Sequence, residues 1–239
     1  MSPIHDVSTY VTWRLPPQPF YIQDILPQQG TMLVYGDPKV KKSWLVQHMA
    51  YCVGIGDTWL GFRTTQARVL INQFEVSPYA YHNRLFLMAR HFTLPERMVY
   101  ENTHPIVYLE DEETYNRWAA EIRAAEIAPN VIIMDCMSAC FGGDENNGEQ
   151  MAIFIDKMVR LKTEYNASLI IVHHANKNTL NPSSVSRARG HSRLTGWVDT
   201  LIYLCEQPTG VQLQIKARQS TREIPNINIR FTDHNWELR

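Results

Sequence analysis

The residues with the clearest chemical pattern lie at 32–50, where a short apolar run is followed by a Gly-led loop and by Lys42-Ser43. Residues 32–35 predict a buried strand, and the apolar residues after Ser43 recur at helical spacing. Strand, loop, Lys-Ser and helix in this order are the layout of a phosphate-binding loop, whose backbone N–H groups and helix N-terminus surround phosphates. Lys42 would reach the terminal phosphates, and the Ser43 hydroxyl would hold Mg²⁺. The sequence therefore predicts a nucleotide site formed by Gly36, Asp37, Pro38, Lys39, Val40, Lys41, Lys42, Ser43 and Trp44.

Lys41 departs from the loop pattern G-x-x-x-x-G-K-[ST], because it stands where the second glycine belongs. Glycine at that position lets the backbone approach the nucleotide without a Cβ in the way. The Lys41 side chain must therefore turn outward, or nucleotide binds poorly. A lysine-rich turn before a surface helix is the alternative interpretation of the same residues.

Three further apolar runs end in residues that could act on a phosphate. Asp135 is placed where a nucleotide hydrolase has its second Mg²⁺ group, usually through water. Glu75 could act as general base on the water that attacks the γ-phosphate, and His174 of the His173-His174 pair could sense that phosphate. The alternatives are a capping aspartate, a solvated glutamate, and histidines that are structural or bind metal.

Composition sets broad limits on the class of protein. The 239 residues are 44% apolar and 20% charged, as expected for one large or two small globular domains. The net charge of −1 gives no overall attraction to nucleic acid. The four scattered cysteines indicate reduced thiols in a cytoplasmic protein, and Cys136 and Cys140 lack the second pair that a zinc site of this type needs. We expect no signal peptide and no membrane segment.

Strands that alternate with helices predict an α/β fold with a mainly parallel sheet flanked by helices. Residues 1–30 are Pro-rich and are predicted to be an N-terminal arm, followed by one domain over 31–239. The predicted strands are 32–35, 67–74, 106–109, 130–135 and 168–172, and the predicted helices are about 79–92, 112–126 and 150–165. Strand-like segments at 200–204, 211–215 and 227–231 have no helices between them, which predicts an antiparallel edge extension. The active site of such a sheet lies at the carboxyl ends of its strands.

Across roughly residues 20–232 the chain resembles the RecA-like P-loop ATPases, most closely the type of the plasmid hexameric helicase RepA and its phage and mobile-element relatives, and more distantly the DnaB-type helicases. The segments that carry the resemblance are 35–44, Glu75, 133–135, 172–177, 189–192, 196–199 and 216–218. The His-His-x-x-Lys segment and the late Lys-x-Arg are its distinctive parts. Besides Lys41, a departure is Gln219-Ser220 in place of the glycine that often follows Lys-x-Arg.

The resemblance implies ATP and Mg²⁺ as ligands, with Lys42 and Ser43 on the phosphates and Mg²⁺, Glu75 as catalytic carboxylate, Asp135 as the Walker B aspartate and His174 as sensor. It also implies that Lys216 and Arg218 reach the nucleotide of a neighbouring subunit, and hence a homo-oligomer such as a hexameric ring. Alternatively, Lys216 and Arg218 are charges on an edge strand that discourage pairing.

By the same resemblance, the basic loop 176–193 projects into a central channel and contacts single-stranded DNA through Lys177, Arg187, Arg189 and Arg193. A solvated loop is the alternative, and the absence of aromatic residues from the loop favours it. The expected function is an ATP-driven, helicase-like motor in replication or recombination. The alternatives are a nucleotide-switched helicase loader or recombination mediator that acts on a protein partner, and a binding protein with a vestigial loop.

Overall fold

A computed structural model of the chain describes residues 4–93, 96–103, 105–174, 192–220 and 222–239. Two single 3₁₀ turns lie at Ala89–His91 and Met137–Ala139. The helices and strands of these ranges are α1 (Val7–Tyr10), β1 (Phe20–Ile22), β2 (Leu26–Pro27), β3 (Thr31–Gly36), α2 (Lys42–Ile55), β4 (Val69–Gln73), α3 (Pro78–Met88), β5 (Val99–Asn102), α4 (Glu112–Ala124), β6 (Val131–Asp135), α5 (Gly148–Tyr165), β7 (Ser168–His174), α6 (Ser192–Trp197), β8 (Thr200–Gln207), β9 (Gly210–Ala217), β10 (Ile227–Thr232) and β11 (Asn235–Leu238).

One nine-stranded sheet organises the chain, in the order β11-β10-β9-β8-β3-β7-β6-β4-β5. The six strands from β8 to β5 pair in parallel, whereas β8, β9, β10 and β11 pair antiparallel. Every residue of β3, β4 and β6 is buried, which is why these strands are nearly continuous apolar runs in the sequence. The predicted α/β fold, with a mainly parallel sheet and an antiparallel edge extension, is confirmed.

The predicted strand at 106–109 is wrong. This segment runs beside the turn Met137–Ala139, where the Val107 N–H donates to the Ala139 carbonyl (3.1 Å) and the Leu109 N–H to the Cys140 carbonyl (3.0 Å). The parallel strand at this edge of the sheet is β5, which is half-buried and partly polar and has no apolar run to mark it in the sequence. Strand β11 and helix α6 were also not predicted from the sequence. Arg193 therefore lies in a helix and not in the predicted loop.

The predicted N-terminal arm is divided between solvent and core. Residues 5–19 are exposed and contribute nothing to the core. Strands β1 and β2 pair with each other, and Ile22, Ile25 and Leu26 are fully buried in the same core as the large sheet. No helix of the described ranges is long and apolar enough to cross a membrane.

Glu101 of β5 is an unusual residue for a sheet, because its carboxyl group is buried beneath α3. The Tyr81 hydroxyl donates to its Oε2 (2.5 Å), and Oε1 has no hydrogen-bond partner among the described residues. Burial raises the pKa of Glu101 to about 8, although the hydrogen bond from Tyr81 opposes that rise. The folded protein therefore retains a proton that the unfolded chain releases near pH 4.5, the ordinary pKa of a glutamate.

This raised pKa makes folding stability depend on pH in a defined direction. Between the two pKa values, the Glu101 contribution to the free energy of unfolding falls as pH rises, by up to about 1.4 kcal/mol per pH unit. We expect Glu101→Gln to be more stable than the wild type near pH 8 and similar to it near the lower pKa, as measured by urea unfolding. The exposed Glu223 serves as control, because Glu223→Gln should leave the pH profile unchanged. Parallel profiles for the wild type and Glu101→Gln would contradict this assignment.

Candidate functional site

The phosphate-binding loop leaves β3 at Gly36 and enters α2 at Lys42. A Cβ on Gly36 would lie 2.7 Å from the Leu204 carbonyl oxygen, so only glycine allows β3 to pack this closely against β8. Within the loop, Pro38 and Lys39 are exposed and Asp37 is half-buried, whereas Val40 is buried in the core. The loop is thus anchored by apolar packing beneath and leaves its polar side open.

Lys42 is buried at the start of α2, and its ammonium group points back into the loop. Its Nζ donates to the carbonyls of Gly36 (3.0 Å) and Asp37 (2.9 Å) and lies 3.4 Å from Nδ1 of His174. Burial lowers the pKa of Lys42, and the nearby Asp135 carboxylate opposes that effect. The charged form therefore gains from any anion that enters the loop.

Ser43 and Asp135 place two oxygen donors side by side. The Ser43 hydroxyl donates to Asp135 Oδ1 (3.1 Å), and the fully buried Asp135 has its pKa raised to about 6, chiefly by burial. Mg²⁺ prefers oxygen ligands of this type and keeps several waters. The donor set fits the Mg²⁺ that the loop pattern implies.

Gln73, which sequence reasoning missed, connects Asp135 with the backbone at Glu75. Its Nε2 donates to Asp135 Oδ2 (3.3 Å), and its Oε1 accepts from the N–H groups of Glu75 (2.6 Å) and Val76 (3.0 Å). Gln73 is only 2% exposed, so these bonds form inside the protein. The sequence signal that could have identified Gln73 is a glutamine at the end of a predicted buried strand.

Glu75 and His174 lie at the same edge of the sheet as Lys42. Cys136 follows Asp135 through a cis peptide bond, and its Sγ donates to Glu75 Oε2 at 3.4 Å. His173, in contrast, is fully buried, and its Nε2 is 3.6 Å from a carboxylate oxygen of Glu145. The structure thus brings together the predicted Lys42, Ser43, Glu75, Asp135 and His174.

Lys41 has the outward orientation that the sequence left as one of two options. Its backbone is left-handed (φ 62°), and its ammonium lies 4.5 Å from the centre of the Phe231 ring on β10. Trp44 packs edge-on against the same ring at 5.0 Å between centroids, and the Arg84 guanidinium lies 5.0 Å from the Trp44 ring. The side chains of Lys41 and Trp44 therefore join the loop to the hairpin of β10 and β11.

Lys216 and Arg218 lie away from this cluster, toward the opposite end of the sheet. Gly36 pairs with Leu204, whereas Lys216 pairs with Leu201, and the Arg218 N–H donates to the Asp199 carbonyl (2.8 Å) beyond the start of β8. Both side chains are exposed and line a cleft of about 860 Å³ together with Arg222. Strand β10 pairs with β9 only at Val211–Leu213, so Lys216 pairs with β8 alone and the alternative of charges on an open strand edge stays open.

Of the four predicted nucleic-acid residues, Arg193 lies in the described part of the chain. Lys177, Arg187 and Arg189 lie outside the described residues. Arg193 is exposed in the first turn of α6, and the carbonyl of Gly196 in the same helix accepts from Arg218 Nη2 (2.8 Å). A direct contact therefore joins Arg218 to the helix that follows the basic segment.

The fold, the loop and the cluster at the carboxyl edge are those of a RecA-like P-loop ATPase. A family described as "AAA domain" matches residues 3–179, and the chain belongs to that family. Among solved structures, the chain is similar in fold to a KaiC-like protein from the hyperthermophilic archaeon Pyrococcus horikoshii OT3, with a TM-score of 0.58 and 12% identity over 92% of this chain and 93% of that chain. A comparison with curated proteins finds no match.

The bridging position of Gln73 predicts a measurable role. Gln73→Ala removes a donor to Asp135 and the acceptor shared by two backbone N–H groups, which should lower the free energy of unfolding by about 1–3 kcal/mol. Urea unfolding would measure the change. Gln66→Ala is the matched control, because Gln66 is exposed and, within the described ranges, its side chain donates only to the Gly54 carbonyl (3.2 Å). Equal losses in the two variants would argue against a bridging role.

The outward orientation of Lys41 predicts that its side chain does not obstruct the loop. We expect Lys41→Gly to bind ADP with an affinity within about threefold of the wild type, a free-energy change of roughly RT. Lys41→Ala retains the left-handed Cβ and should be about 1 kcal/mol less stable than Lys41→Gly. A tenfold tighter titration curve for Lys41→Gly would show instead that Lys41 hinders nucleotide.

Proposed function

We propose that this protein is an oligomeric, ATP-hydrolysing motor that acts on single-stranded DNA in a helicase-like manner, in replication or recombination, with each active site completed by a neighbouring subunit. The observation that carries the proposal is the separation of two sets of residues. One set, around Lys42, Asp135 and Glu75, lies at the carboxyl edge of the parallel strands. The other, Lys216 and Arg218, lies near the amino ends of β8 and β3.

Within one subunit, the loop and Lys42 bind the phosphates of ATP. Ser43 and Asp135 would hold Mg²⁺, Asp135 through water, and the ion would supply positive charge that offsets the charge of the phosphates. Glu75 accepts the proton of the attacking water, and His174 contacts the γ-phosphate through a hydrogen bond. The 3.4 Å approach of His174 to Lys42 supports this role, because it puts the imidazole beside the group that would hold the terminal phosphates.

The proposed trans role of Lys216 and Arg218 is supported by their position along the sheet. Leu204 pairs with Gly36, and Thr200 pairs with Ala217, next to Arg218. The four residue steps between Leu204 and Thr200 correspond to about 13 Å along the strand. Lys216 and Arg218 are exposed and lie far along the sheet from Gly36, so we propose that they serve the nucleotide of another subunit. A homo-oligomer, proposed here as a hexameric ring, supplies that neighbour.

Contact with DNA is assigned to the basic segment that carries Lys177, Arg187, Arg189 and Arg193. Its cations would bind phosphates without reading sequence, so binding should weaken with salt. The hydrogen bond from Arg218 to Gly196 supports a coupling between this segment and the trans arginine, since α6 continues directly from it. Residues 31–239 form the ATPase domain in this proposal, and residues 1–30 an arm whose 20–27 section shares its core.

A nucleotide-switched helicase loader or recombination mediator is the second candidate. The left-handed Lys41 favours it, because a side chain at this position holds the loop against the β10–β11 hairpin through Phe231. Such a protein would bind nucleotide, hydrolyse it slowly or not at all, and act on a protein partner of the replication or recombination machinery.

Hydrolysis measured with and without long single-stranded DNA separates the two candidates. We expect ATP turnover that rises with DNA and falls at least about 100-fold in Lys42→Ala and Glu75→Gln, the range of general acid–base contributions. Lys162→Ala, on the partly exposed end of α5, controls for loss of a lysine elsewhere. Nucleotide binding without turnover, with or without DNA, would contradict the motor and favour the switch.

Mixed oligomers test the trans role of Arg218. Arg218→Ala and Glu75→Gln should each be inactive alone, whereas an equal mixture should regain activity because about a quarter of its interfaces combine an intact Glu75 with an intact Arg218. Hydrolysis rates after subunit exchange would measure this. A mixture as inactive as its components, or a protein that stays monomeric with ATP and DNA, would contradict the proposal.

A further inference from the structure

Three residues from distant parts of the sequence place metal-ligating atoms around one point. The carboxylate of Glu75, the thiol of Cys136 and the imidazole of His174 each offer one atom, and these atoms all lie within 4.8 Å of one another. Glu75 follows β4, Cys136 follows β6 and His174 ends β7, so three neighbouring strands of the sheet bring the atoms together. The cluster takes one residue from each of the two pairs in the sequence, Cys136 but not Cys140, and His174 but not His173.

The separation of the thiol and carboxylate atoms matches that of two ligands in a tetrahedral zinc site. With a Zn–S bond of about 2.3 Å and a Zn–O bond of about 2.0 Å, the two ligand atoms of a tetrahedral site lie about 3.5 Å apart. Cys136 Sγ and Glu75 Oε2 are 3.4 Å apart. The carboxylate and the thiol therefore already have the separation that zinc requires, and the imidazole lies within reach.

We propose that Glu75, Cys136 and His174 form a binding site for Zn²⁺ or a similar thiol-binding cation, separate from the Mg²⁺ site of Ser43 and Asp135. Binding releases the Cys136 thiol proton to solvent, so that thiolate, carboxylate and neutral imidazole are the three protein ligands and water fills the fourth position. Mg²⁺ is excluded by the sulfur ligand, because it takes oxygen donors. Glu75 is exposed and gives the ion access from solvent.

Among the described residues, Lys42 is a cation that faces this site. The Lys42 ammonium is 3.4 Å from His174 Nδ1. When a metal ion binds the imidazole, the ammonium can move away from His174 and keep its hydrogen bonds to the carbonyl oxygens of Gly36 and Asp37. A positive charge at this distance opposes a second cation. Lys42→Ala should therefore bind zinc more tightly than the wild type.

Zinc at this site would also affect hydrolysis, a consequence that rests on the function proposed above. Glu75 would be a metal ligand instead of a general base, and His174 could no longer contact the γ-phosphate. Zn²⁺ at constant ATP-Mg²⁺ should therefore inhibit turnover, and Cys136→Ser should reduce its inhibitory effect at least about tenfold.

The deciding experiment uses the full-length, nucleotide-free protein, so its outcome does not depend on ATPase activity. Co²⁺ serves as the spectroscopic probe, because a bound thiolate gives a sulfur-to-cobalt charge-transfer band, and Zn²⁺ competition then reports affinity. We expect one equivalent of Co²⁺ with this band in the wild type and in Cys205→Ser, which removes the half-exposed thiol outside the cluster. In Cys136→Ser the band should be lost, and in His174→Ala the affinity should fall at least about tenfold.

Three results would overturn the proposal. The first is a charge-transfer band that persists in Cys136→Ser, and the second is a band that disappears in Cys205→Ser. The third is failure of the wild type to bind one equivalent of either ion. Circular dichroism of Cys136→Ser and His174→Ala would establish that both variants are folded. If either variant is unfolded, the zinc affinity of Lys42→Ala decides. An affinity equal to or weaker than that of the wild type contradicts a site beside Lys42.

Discussion

Thr31–Gly36 pair in parallel with Leu169–His174, and this register places Gly36, where the loop begins, directly opposite His174. The neighbouring pairing of β6 with β7 brings Asp135 to the same edge of the sheet. A slip of one residue in β7 would turn His174 to the other face and His173 toward the loop, because side chains alternate along a strand. The apolar residues of β3 and β7 are buried and hold the register, so core packing and the geometry of the site have one common cause.

The charges of Lys42 and Asp135 are only partly compensated by other groups of the protein. Burial lowers the pKa of Lys42 and raises that of Asp135, although the two groups are close enough to moderate each other. Lys42 is bound to carbonyl oxygens of its own loop, and Asp135 to the neutral side chains of Ser43 and Gln73. Phosphate oxygens and Mg²⁺ would supply stronger partners of opposite charge to each, which is how such a pocket favours a nucleotide with its metal.

Much of this arrangement was predictable because the informative signals are local. The buried strands β3, β6 and β7 are apolar runs, and the order of loop, Glu75, Asp135 and His174 predicted one edge of one sheet. Features that depend on distant contacts were not predictable. The orientation of Lys41 is set by Phe231, near the other end of the chain, and the approach of Cys136 to Glu75 joins residues 61 positions apart. Strand β5 was missed because its burial depends on α3 rather than on its own composition.

Nucleotide binding at Lys42 is the central claim, and unfolding in the presence of ligand tests it most directly. A ligand that binds only the folded state raises its stability, by about 2.7 kcal/mol at 100 times its Kd. We predict that ATP-Mg²⁺, or an analogue that cannot be hydrolysed, raises the unfolding midpoint of the wild type and leaves that of Lys42→Ala nearly unchanged. An unaltered wild-type midpoint at millimolar ATP-Mg²⁺, or an equal rise in the variant, would contradict the account.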